Sequence, residues 1–286
     1  MAKFNLWDFR IKTDDYFFEL VNYALRFRAM RFRKDLKPNS DLKDLHQGQR
    51  AWIILSGPSL NKQDIRPLKD DVLFFVNRAF KHKDYAYLKP AYHLFIDSKM
   101  ASGEWPLSYL DEILEVNPDV TFLLNYRWAR LPQFQEYKKK AKIYWIDTEL
   151  MYTPFTKRKM DLTRPVPGGA IFGACLAAAI YMGCRPIYFT GFDGNGLAFE
   201  LTQEQSHFYG TNEENHLKAT KDYVKDLYMM SRSLHGLMIT SNYCKSKDVE
   251  IYNVTEGGII EMFPRKRFSE VVAELSPVTD QKLEEQ

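Results

Sequence analysis

The chain is short of the features that classify a protein at a glance. Its 286 residues hold three cysteines, Cys175, Cys184 and Cys244, with no C-x-x-C pair and no Cys/His ligand spacing. An odd, scattered set of thiols argues against a disulfide framework or a zinc site and fits a reducing compartment. No apolar run reaches the ~20 residues that a membrane-spanning helix needs; Ala170–Cys184 comes nearest and falls short. The N-terminus lacks the short apolar core of a signal peptide, so a cytoplasmic location is expected. A net charge of +3 is too small to imply nucleic acid as a partner. HExxH, GxSxG and the P-loop lysine motif are missing, which removes metalloprotease, α/β-hydrolase and Walker-type NTPase chemistry. Asp193-Gly194-Asn195-Gly196 starts like a cation loop but lacks the later ligands and the closing Glu, which discounts calcium.

What is present is a regular alternation. Apolar runs at Trp52–Ser56, Val72–Asn77, Tyr92–Asp97, Val120–Asn125, Lys142–Asp147, Pro186–Thr190 and Val249–Asn253 read as strands. Between them lie helical patterns at Leu107–Val116, Pro132–Lys140 and Ala170–Met182, and a long one from Leu217 to about Lys245. Strands alternating with helices predict an α/β, Rossmann-like fold: a mostly parallel, doubly wound sheet of about seven strands with helices on both faces. The expected organisation is a basic amphipathic extension (1–50), a nucleotide-binding catalytic domain (51–274) and an acidic tail (275–286). Lys37-Pro38-Asn39-Ser40 reads as the linker after the extension.

Polar residues stand where the apolar strands stop. They are Ser56-Gly57-Pro58-Ser59, Asn77-Arg78, Asp97-Ser98 and Gly191-Phe192-Asp193-Gly194. In a parallel sheet these ends share one edge, where ligands bind. Gly57 would let a ligand approach the backbone, and Ser59 offers a hydroxyl and a helix N-cap. Asn77 and Asp97 suit base or ribose hydrogen bonds; a turn-forming Asn and a capping Asp are the plain alternatives. Gly168-Gly169 opens the small-residue helix and would expose N–H groups to an anion, or serve only close packing. Arg164, in the Tyr152–Pro165 stretch, would neutralise a departing phosphate. His207, within Ser206-His207-Phe208-Tyr209-Gly210, is the candidate general base, with Glu204 or Asp193 to orient it.

Taken in order, Ser56-Gly57-Pro58-Ser59-Leu60, Asn77, Arg164 before Pro167-Gly168-Gly169, Gly191-x-Asp193 and Ser206-His207-Phe208-Tyr209-Gly210 resemble the bacterial sialyltransferases of glycosyltransferase family 42. The related 6-hydroxymethylpterin diphosphokinase MptE-like group, which includes motility-associated flagellin glycosylation factors, shares the Gly-Pro-Ser-Leu and Gly-Gly portions. Tyr252-Asn253-Val254-Thr255-Glu256-Gly257-Gly258 looks more like that second group. The resemblance implies a CMP-activated acidic sugar as donor, a surface glycan as acceptor and metal-independent, inverting displacement with His207 as base. It places Gly57, Pro58, Ser59 and Asn77 along the nucleotide and Gly168 and Gly169 beside the donor sugar. Two departures stand out. Asp97 replaces the family's Asn, and Gly194-Asn195-Gly196-Leu197 lacks its phosphate-binding tyrosines, so Arg164, Lys157 or Tyr209 would have to serve. No cofactor is implied. Two further readings stay open: a diphosphokinase with Mg²⁺ held by Asp97 and Asp193, and a silent scaffold of the same fold.

The extension mixes aromatics with six cations and one acid between Arg26 and Lys37. Residues 14–37 would lie on the anionic face of the inner membrane, or pack on the domain or in a homo-oligomer interface.

Overall fold

In a computed structural model, residues 5–168, 170–194, 196, 198, 205–210 and 220–275 are described. Seven strands form one sheet: β1 (Ala51–Ile54), β2 (Val72–Val76), β3 (Tyr92–Phe95), β4 (Thr121–Asn125), β5 (Lys142–Ile146), β6 (Ile187–Thr190) and β7 (Ile251–Asn253). Their spatial order is β5-β4-β3-β2-β1-β6-β7, and every pairing is parallel. The apolar runs are continuous because both faces of the sheet are buried. Ile53, Phe74 and Leu94 point into one core with the small-residue helix, while Trp52, Phe75 and Phe95 point into the other.

The helices, in chain order, are α1 (Leu6–Ala29), α2 (Arg33–Leu36), α3 (Tyr85–Leu88), α4 (Ser98–Ser102), α5 (Ser108–Val116), α6 (Pro132–Tyr137), α7 (Ile171–Tyr181), α8 (Thr220–Ser246) and α9 (Phe268–Ala273). The chain moves outward from β1 to β5 on one side, then α7 carries it back across the sheet to β6 on the other side of β1. That reversal puts the switch point, and hence the expected crevice, beyond the carboxyl ends of β1 and β6.

Two local expectations change. No α-helix follows β1; a 3₁₀ segment, Pro58–Lys62, does, with Gly57 rather than Ser59 at its cap position. The Lys37–Ser40 stretch is not an open linker but part of a 3₁₀ segment, Lys37–Leu42. Its Asn39 is fully buried and donates to the carbonyls of Trp145 and Leu162, both at 2.7 Å. A buried amide that satisfies one strand carbonyl and one loop carbonyl locks the segment against β5. Helix α1 meets the rest of the molecule through buried polar groups as well as rings, Tyr16 against Phe155 and Phe18 under Arg232. Asp15 accepts from His235 Nε2 at 2.9 Å, and Asn22 exchanges two hydrogen bonds with the backbone of Met151. The expected acidic tail lies outside the described residues from 276 on.

Candidate functional site at the carboxyl edge of the sheet

The sheet gathers residues that lie far apart in sequence. Gly57 N–H donates to Gly191 O at 2.8 Å, stitching the end of β1 to the end of β6. Gly191 has φ +69°, and a Cβ there would sit 2.5 Å from Leu55 O, so the β6 turn needs glycine. Ser59 Oγ donates to Asp193 Oδ2 at 2.8 Å, with both residues buried. The space in front of Gly57 is therefore filled by protein: a Cβ would meet Asp193 Oδ2 at 1.9 Å. Gly57 admits the Asp193 carboxylate on that side, not a ligand. Behind Asp193, Ile259 N–H donates to its carbonyl at 2.9 Å, and Phe192 N–H donates to Thr255 Oγ1 at 3.2 Å. The Asn253–Gly258 turn thus braces the β6 loop.

His207 joins this cluster. Its Nδ1 is 3.2 Å from Ser56 Oγ, and Phe208 N–H donates to Ser56 O at 3.0 Å. Ser56 is one side chain that holds the imidazole; Glu204 lies outside the described residues. Tyr209 stacks on His207 with centroids 4.9 Å apart and rings 15° from parallel.

Asn77 ends β2 in the left-handed region, φ +45°, a conformation Asn tolerates better than most residues. Its carbonyl accepts from His93 Nε2 at 2.8 Å, while His93 Nδ1 accepts from Tyr85 O–H at 2.9 Å. A carbonyl only accepts, so Nε2 carries the proton. Full burial pushes the imidazole down to about 3, which keeps it neutral. With the backbone so fixed, Asn77 Oδ1 is buried without a hydrogen-bond partner. An orphaned acceptor of this kind is uncommon and suits a donor group of a ligand.

Asp97 takes the plainer of its two roles: its Oδ1 accepts from Lys99 N–H at 3.0 Å and caps α4. Around it runs a series of cations and rings that the linear motifs did not reveal. The Lys81 ammonium lies 5.6 Å from the Tyr209 ring and 5.7 Å from that of Tyr109. The Arg78 guanidinium lies 4.8 Å from Trp105, and Lys99 reaches the same ring at 5.8 Å. These residues follow the ends of β2 and β3, so the polar strand-end signal located the segments without showing their alignment.

Other expected site residues lie elsewhere. Arg164 is 73% exposed, pairs with Asp161 at 3.2 Å and lines a separate cleft of about 1240 Å³ beside α1. Its loop leaves from β5, the outer strand of the sheet, rather than from the switch point. Gly168 serves close packing: a Cβ would stand 2.5 Å from Thr148 Cβ, and its carbonyl fills the place of a Cβ on Gly173 of α7. Gly169 lies outside the described residues.

Past β5, burial raises the Asp147 carboxyl to about 7, although Glu149 N–H donates to its Oδ1 at 3.3 Å. The folded chain therefore holds this proton where the unfolded chain has released it, so stability from this group is present below pH 4 and lost as pH rises towards 7. Asp147→Asn should gain stability relative to the wild type by about 1.4 kcal/mol per pH unit between pH 4 and 7. Urea unfolding of both proteins across that range checks it, and parallel curves would refute it.

The edge cluster sits on a parallel, doubly wound α/β sheet, at the switch point where proteins of this fold class place their ligands. The chain belongs to the family described as 6-hydroxymethylpterin diphosphokinase MptE-like, whose profile matches residues 30–198. Among solved structures, the MAf glycosyltransferase from Magnetospirillum magneticum AMB-1 is similar at 14% identity and a TM-score of 0.43. That alignment covers 82% of this chain and 38% of the other, so this chain spans well under half of that structure's length. No curated protein matches. Among the described residues, no helix is long and apolar enough to cross a membrane.

Proposed function

We propose that the protein is a nucleotide-sugar-dependent glycosyltransferase that moves an acidic sugar, sialic acid, Kdo or a relative, from a CMP-activated donor. The observation that carries this reading is the position of His207, tethered to Ser56 at the switch point beside the strand-end cations. In the tautomer whose Nδ1–H donates to Ser56 Oγ, Nε2 is the unprotonated nitrogen and serves as the base. Nε2 takes the proton of the acceptor hydroxyl as that oxygen bonds to the anomeric carbon from the face opposite the leaving group. The bond from the anomeric carbon to the CMP oxygen breaks, and its electron pair leaves on the phosphate. Lys81 and Arg78 stabilise the departing phosphate by charge, where the missing tyrosines would have donated O–H hydrogen bonds. Asn77 Oδ1 accepts from the amino group of the base or a ribose hydroxyl.

A thermal-shift screen against CMP, UDP and GDP sugars tests the reading. A ligand at a hundred times its Kd adds about 2.7 kcal/mol of apparent stability. A rise with CMP sugars alone is expected; no rise with any nucleotide would sink it. The family name favours a second reading, a Mg²⁺-dependent diphosphokinase with Asp97 and Asp193 as carboxylate ligands. Turnover that disappears with EDTA would select that one. Under the first reading, Lys81→Ala should weaken CMP binding roughly tenfold or more, since a hydrogen bond to a charged group contributes about 1.5–3 kcal/mol. Titration calorimetry with CMP reads the change, and unaltered affinity would remove Lys81 from the phosphate site.

A further inference from the structure

The outer side of α1 stays largely exposed to solvent, although Tyr16 meets the Phe155 ring at 5.1 Å. A surface helix ordinarily turns its apolar stripe to the core and its charges to water. Here Asp15 and Asn22 are the buried residues, while Phe9, Tyr16, Leu20, Tyr23 and Phe27 are exposed at intervals that keep them on one side. Trp7 and Phe27 are each 74% exposed. An apolar patch this extended marks an interaction surface.

The stripe runs into the 1240 Å³ cleft, since Tyr16, Tyr23 and Met30 belong to its lining. Arg26, Arg33 and Lys37 stand on the near wall. The Lys157-Arg158-Lys159 run and Arg164 stand on the far one. Its two carboxylates are already engaged, Glu19 with Arg26 at 3.4 Å and Asp161 with Arg164 at 3.2 Å. Among the described residues, the other five cations have no carboxylate partner. A second copy of the chain is a poor occupant, because a two-fold contact would set this cationic face against itself. A surface both apolar and negatively charged is needed.

We propose that this face docks on an anionic phospholipid bilayer, with the aromatic stripe at the boundary of head groups and acyl chains and phosphate head groups in the cleft. The arrangement is that of an interfacial helix: aromatic and apolar residues on one side, cations along its margin. Each cation near an anionic leaflet contributes about 1 kcal/mol, so three of them change the partition coefficient by roughly a hundredfold. This inference goes beyond the transferase reading and does not rest on it, since its readout is binding alone.

Co-sedimentation of the full-length protein with vesicles tests it. Vesicles of phosphatidylcholine with phosphatidylglycerol should bind the protein and release it at high salt, and phosphatidylcholine alone should bind it far less. Lys157→Ala/Arg158→Ala/Lys159→Ala should bind roughly a hundredfold more weakly. Leu20→Ser/Phe27→Ser should lose roughly a hundredfold or more, at the transfer free energy of two large apolar side chains. All five side chains are exposed, and unchanged circular dichroism would show that the variants fold. Wild-type protein that ignores both vesicle types overturns the proposal, as does equal binding to both. A dimer in light scattering that Leu20→Ser/Phe27→Ser dissolves, without vesicle binding, would assign the face to self-association instead. Binding of monomeric dihexanoylphosphatidic acid without vesicle binding would reduce it to a site for single phosphate esters.

Discussion

His207→Ala should lower transfer to the acceptor by roughly 10²–10⁴-fold, the usual contribution of a positioned general base. CMP binding should survive, because the strand-end cations, Asn77 and the Gly57–Gly191 stitch do not depend on the imidazole for their positions. The two measurements, steady-state transfer and calorimetric titration with CMP, must therefore separate. Joint loss would point to a collapsed loop, since Phe208 N–H is bonded to Ser56 O and is held next to His207. Full activity would end the base assignment. Ser56→Ala adds a finer readout. Without Ser56 Oγ, at 3.2 Å, the ring loses a partner that favours one tautomer. The acidic limb of the kcat/KM profile should then move, whereas a purely structural serine would change the rate without moving the limb.

Gly57→Ala should be the most damaging single substitution at the sheet edge. The added methyl would lie 1.9 Å from Asp193 Oδ2 and 2.6 Å from Gly191 O. The second contact is with backbone, which cannot swing away, and the carboxylate is held by Ser59. Overpacking of this kind typically costs 1–3 kcal/mol, and a displaced buried carboxylate adds to it, so about 3 kcal/mol of destabilisation is expected. Denaturant unfolding measures it. The Gly57→Ala/Asp193→Ala pair should be less than additive by about 1 kcal/mol or more, because removing the carboxylate relieves the closer of the two clashes. An additive pair would mean that the methyl is accommodated by movement elsewhere.

The sheet was legible in the sequence for a physical reason. A strand buried on both faces has no polar alternation, so the central strands β1 and β2 show as unbroken apolar runs that stop where polar residues begin. The convergence of Gly57, Ser59, Gly191 and Asp193 followed from parallel topology, which sets every such stop at one edge. What the sequence hid were pairings across long separations: Ser56 with His207, Ser59 with Asp193, Lys81 with Tyr209. No local period encodes them. Asn39 was misread because Lys-Pro-Asn-Ser has the composition of a linker, and only the Trp145 and Leu162 carbonyls show that it is a buried brace. Arg164 was misplaced because nearness in sequence to a Gly-Gly turn does not mean nearness in space to the switch point. The outward apolar side of α1 has the spacing of any amphipathic helix, and its direction is set by Asp15 and Asn22.

The buried Asn39 also fixes where the molecule can be cut. A boundary at residue 51 would strip Leu36, Leu42 and the double amide contact from β5, leaving two carbonyls unpaired and an apolar wall bare. The shared family segment starts at residue 30, just past the last residue of α1. The family match therefore takes in the Asn39 brace and leaves the aromatic helix outside it.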